Sequence, residues 1–179
     1  MRRLLVLLFL LSAISTSSIA AQFKSTGELE NTDLQRLKKW GDTFILEQLF
    51  GDCGTVYPVR LDTSDNEQSW AQTLEAVLKE EFSVKVSTKQ LSRSRNGIAR
   101  AMYYFANQRF VDPSKDLNRW KGAVNKFHIA LEEAVLLNEG SQLFIGALSG
   151  NDGTNVSFVA VVDGEKNEAI VLGAGYCDY

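Results

Sequence analysis

The chain has 179 residues, 45% hydrophobic and 23% charged, with a formal net charge of −3 at pH 7. That composition excludes a disordered, collagen-like or cysteine-dense chain and leaves room for one globular domain with a real core. Its acidic balance disfavours general nucleic-acid binding, and no run after the first residues is long enough for a membrane helix.

Residues 1–20 have the pattern of a secretory signal peptide. Arg2 and Arg3 make a positive start, Leu4 to Leu11 is unbroken apolar sequence, and small residues precede a cut after Ala20 or Ala21. The apolar run is short and turns polar at once, so the segment is read as removed. The mature chain then carries 17 basic and 22 acidic residues, about −5. The expected location is extracytoplasmic, either periplasmic or secreted. Residues 21–30 form a polar lead-in, and 31–179 are expected to make a single α+β domain.

The first helix is expected in "TDLQRLKKWGDTFILEQLFG", where Thr32 and Gln35 have capping-box spacing and Leu34, Leu37 and Trp40 begin an apolar stripe. "TVYPVRL" reads as a strand, and Pro58, which has no N–H to donate, confines it to a sheet edge. A second helix is expected from a Ser64/Glu67 capping box to about Phe82, with Trp70, Leu74, Val77 and Leu78 on one face. "SVKVS" reads as a short strand.

The third helix covers part of Thr88 to Gln108, with two readings of its start. Ser87 and Gln90 have capping-box spacing, whereas "SRSRNG" as a loop delays the helix to Gly97. The fourth helix begins with Asp112 and Pro113, repeats Val124, Phe127, Leu131 and Ala134 at steps of three and four, and ends at Gly140. "QLFIGALSG", "NVSFVAVV" and "EAIVLGAG", divided by "NDG" and "DGEKN", then read as an antiparallel meander of three strands. Two of these strands are almost continuously apolar, so both sheet faces need cover. The fold class expected is α+β, with about four helices packed on a small antiparallel sheet.

The chain has two cysteines and one histidine. An even cysteine count in an exported chain, with Cys177 in a terminal tail that would otherwise fray, favours a Cys53–Cys177 disulfide. The sharper alternative is a secreted hydrolase with a Cys53/His128 dyad. Against it, Cys53 follows a helix C-terminus, where the dipole raises a thiol pKa, and His128 sits mid-helix beside the apolar stripe.

No metal-ligand spacing is present, and no cofactor is expected. Asn151, Asp152 and Asn155 are turn residues before they are calcium ligands, since the twelve-residue loop with its closing glutamate is missing. Asn155-Val156-Ser157 matches a glycosylation sequon, a triplet that arises often by chance.

Charge placement does exceed background. Between Lys89 and Lys126, nine basic residues face only Asp112 and Asp116, a balance of +7, so the rest of the mature chain sums to about −12. The partner-binding basic face expected from this comprises Arg93, Arg95, Arg100 and Arg109, with aromatic residues such as Tyr103 interleaved. The bland version is an outer helix face solvated and balanced by the acidic remainder. The leading expectation is a non-catalytic protein that binds a macromolecular partner, as inhibitors, immunity proteins and assembly factors do. That partner is expected to be another protein with an acidic surface. An anionic glycan is the third reading.

Overall fold

The computed structural model describes residues 29–42, 54–61, 69–106, 117–150 and 155–175. In chain order they form α1 (Thr32–Gly41), β1 (Gly54–Arg60), α2 (Trp70–Phe82), β2 (Lys85–Leu91), α3 (Arg95–Ala106) and α4 (Leu117–Glu132). A π-helical turn, Glu133–Leu137, prolongs α4, and β3 (Ser141–Ser149), β4 (Asn155–Asp163) and β5 (Glu168–Gly175) follow. The five strands make one antiparallel sheet in the order β1-β5-β4-β3-β2. This is the expected α+β arrangement, with the C-terminal meander at its centre. Pro58 lies on an edge strand as its missing N–H requires.

Side chains alternate across the sheet, and the two faces make separate cores. Leu143, Val159, Val161, Ile170 and Leu172 pack with Leu34 and Leu37 of α1, Ile98 of α3, and Phe127 and Leu131 of α4. Phe144, Phe158, Val162 and Val171 point the other way, onto Leu74, Val77 and Leu78 of α2. The sheet thus has three helices on one face and α2 on the other. Each fully buried side chain of this size contributes about 1.5–3 kcal/mol, which is why the meander is apolar on both faces.

The capping box read for the first helix is corrected. The N-cap of α1 is Asn31, whose Oδ1 accepts the N–H groups of Asp33 and Leu34 at 2.8 and 3.0 Å. Gln35 instead donates its side-chain amide to the Leu29 carbonyl. In α2 the cap is Ser69 with Gln72, five residues beyond the Ser64/Glu67 pair, which lies outside the described residues. Ser69 and Gln72 form a capping box in which each side chain meets the other's backbone N–H.

The N-terminus of α1 is fixed to the β4–β5 turn. Asn31 Nδ2 donates to Asp163 Oδ2 at 2.6 Å, and Glu168 accepts the backbone N–H of Glu30 and Asn31. Asp163 Oδ1 also accepts from the N–H groups of Glu165 and Lys166, closing the turn. Burial pushes the Asp163 carboxyl up, but the hydrogen bonds from Asn31, Lys166, Glu165 and Asn138 outweigh that and hold it below its usual range.

The third helix begins at Arg95. Thr88 to Leu91 belong to β2, so the Ser87/Gln90 reading is wrong and the loop reading is nearer. Ser94 is the cap, its Oγ accepting the Gly97 N–H at 3.1 Å. The expected start of α4 at Asp112 and Pro113 and the calcium-ligand question at Asn151 and Asp152 fall outside the described residues.

Candidate functional site

The reversal from β2 into α3 builds a helix surface turned to solvent. Ile98 and Ala101 of α3 are buried, which leaves Asn96, Ala99, Arg100 and Tyr103 exposed on the opposite side. These four, with Ser92, line a shallow open groove of about 530 Å3. Tyr103 is 68% exposed, one of three large apolar or aromatic side chains so placed among the described residues. One turn of helix separates Arg100 from Tyr104, whose hydroxyl donates to the Gly146 carbonyl at 3.0 Å and moors α3 over β3.

The four arginines expected to form one basic face have different roles. Arg93 is a structural cap: Nε donates to the Val135 carbonyl at 2.8 Å and Nη2 to that of Leu136 at 2.9 Å. The π-helical turn ends there and leaves carbonyls without intrahelical donors; Ser141 Oγ supplies another bond to Val135. Arg95 stands 3.9 Å from Glu132, a loose exposed pair of little energetic weight. Arg100 has no ion pair among the described residues and lines the groove. Arg109 lies outside them. The guanidinium of Arg93 is thus committed to the end of α4, and Asn96, which the sequence did not single out, lines the groove.

His128 lies on α4, part-exposed, with Nε2 4.0 Å from Glu132 Oε1. Cys53 and Cys177 lie outside the described residues, and with them the geometry of a dyad or a disulfide. The strands beside them are described: Gly54, next to Cys53, pairs with Ala174, three residues before Cys177. Among the described residues no group of three or more His, Cys, Asp or Glu side chains is placed to hold a metal ion. No described helix is long and apolar enough to cross a membrane.

A second depression of about 430 Å3 lies between the start of α1, the end of α4 and the β4–β5 turn. Asn31 and Asp163 belong to its wall, and their polar atoms are already spent on one another and on the turn. The α3 groove is the better site: Ser92 bonds Ser94, but Asn96, Arg100 and Tyr103 have no hydrogen bond or ion pair among the described residues.

No protein-family model matches the chain, and no curated protein matches it significantly.

Proposed function

We propose that this chain is a small exported protein that works by holding a protein partner with an acidic surface, in the manner of an inhibitor, immunity protein or assembly factor, and that it performs no catalysis. The observation that carries this reading is the α3 groove, where Arg100, without an ion partner among the described residues, stands one turn from the exposed ring of Tyr103. A guanidinium fork beside an aromatic face is what protein interfaces use as an anchor, because it gains charge-assisted hydrogen bonds and apolar burial at one spot. The leader-like first 20 residues support export. A Cys53–Cys177 disulfide is part of the same reading, supported by the ladder that brings the flanks of the two cysteines together.

The test is capture of partner from the extracytoplasmic fraction by the mature protein and by its Arg100→Glu/Tyr103→Ala variant. Loss of the captured species in the variant, and with added salt from about 50 to 300 mM, is the expected result. Equal capture by both proteins overturns the choice of face.

A further inference from the structure

The sheet face that carries α3 is left open along β2. Val86 packs into the α2-side core and Thr88 bonds Glu75 of α2, whereas Leu91 belongs to the core on the α3 side. Alternation then places Lys85, Ser87 and Lys89 on the α3 side, and all three are exposed. Gly146, which Tyr104 holds through its carbonyl, is the register partner of Thr88, so that flank of α3 borders this strip. Arg100 is on the same flank, one turn before Tyr104. Lys85, Lys89 and Arg100 have no ion pair among the described residues.

Edge protection, the common use of lysine on an outer strand, already has another agent here. Glu75 Oε1 accepts both the Thr88 N–H at 2.8 Å and the Thr88 hydroxyl, at the middle of β2. The carboxylate occupies the position an added strand's carbonyl would take. What stays available is the row of side chains on the α3 side.

The geometry points to this strip as the docking surface for an extended acidic segment of a protein, held through its side chains and not by strand addition. The inference rests on the partner-binding reading above and adds the partner's chemistry and two lysines outside the groove. An extended chain repeats its side chains on one face about every 7 Å, so carboxylates four residues apart match the Lys85–Lys89 spacing of about 13 Å. Arg100 can take a third carboxylate with both arms of its guanidinium. A short segment meets only this local charge, because screening removes the acidic remainder beyond about 8–10 Å. A long nucleic acid or glycan would run on into that acidic remainder and be repelled.

The probe is a fluorescein-labelled glutamate decapeptide followed by anisotropy, with a lysine decapeptide and a long polythymidylate as comparisons. The wild type is expected to bind the glutamate peptide and neither of the others. Lys85→Glu/Lys89→Glu is expected to bind it about tenfold or more weakly, and Lys85→Gln/Lys89→Gln by an intermediate amount, since reversing a rim charge adds repulsion to the lost attraction. Unchanged urea midpoints show that the variants remain folded. Absence of glutamate-peptide binding, equal binding of the thymidylate, or no loss in the folded variants overturns the inference. A Glu75→Ala variant that binds the peptide more tightly also overturns it, because strand addition would then be the mode. If Arg100→Glu/Tyr103→Ala loses the natural partner while Lys85→Glu/Lys89→Glu keeps it, the strip fails and the partner-binding reading stands.

Discussion

Asn31 and Asp163, 132 residues apart, share a 2.6 Å hydrogen bond that ties the N-terminus of α1 to the start of the β4–β5 turn. The same asparagine caps its own helix, and the same aspartate closes its own turn. A change at either residue therefore acts on a helix end, a turn and the joint between them. Asp163→Asn is expected to lower stability by about 1–3 kcal/mol near neutral pH, the usual cost of a lost buried charge-assisted bond. The folded-state pKa of Asp163 is depressed, so its stabilisation is present above the unfolded value of about 3.9 and is lost as pH falls through the lower folded value. Urea midpoints of wild type and variant should thus differ at neutral pH and converge in strong acid. A gap that stays constant in acid would show that Asp163 acts by shape alone.

Gly97 stands where the chain turns back from β2 into α3, and a methyl group added there would collide with the Ser92 carbonyl. Backbone cannot swing away as a long side chain does. Gly97→Ala, ordinarily favourable in a helix, is expected to destabilise by about 1–3 kcal/mol as an overpacked site. Because Ser92 and Tyr103 border the same groove, the variant is also expected to weaken partner capture. A thermal midpoint equal to or above that of the wild type would show that the junction relaxes freely.

The disulfide proposal makes a separate prediction. Nonreducing mass analysis of the mature protein should show the loss of two hydrogens and a peptide linking Cys53 to Cys177. Breaking the link with Cys177→Ser should cost up to about 4–5 kcal/mol by the loop-closure argument. Amide exchange should rise first along β1, whose sole described ladder is the one with β5. Rapid alkylation of both cysteines in the native protein would remove the bridge and return Cys53 and His128 to consideration as a dyad.

Legibility in the sequence follows from the range of the interaction that decides each feature. The meander was readable because apolar runs and turn residues are local, and β1 as an edge because Pro58 lacks a donor. Which sheet face each helix covers was not readable, since an apolar stripe on α2 looks the same on either side. The β2–α3 boundary misled because Ser87 and Gln90 have the spacing of a cap, while pairing to β3 holds them extended. The structural role of Arg93 was not readable for a similar reason: its acceptors are carbonyls more than forty residues away. Of the expected basic face, Arg100 is the residue that lines the α3 groove, a depression that charge counting had no means of finding.

The strand order has a consequence for how the chain reaches its folded form. β5, the last strand described, lies between β1, the first, and β4. A chain made or delivered from its N-terminus therefore presents β1 long before β5 can bridge it to the rest of the sheet. Such late, long-range closure slows folding, and the early segments stay without their final partners until the end emerges. Removing β5 would leave β1 detached and β4 as a raw edge, so a chain truncated before Glu168 is expected to accumulate as an aggregate and not as a smaller folded domain.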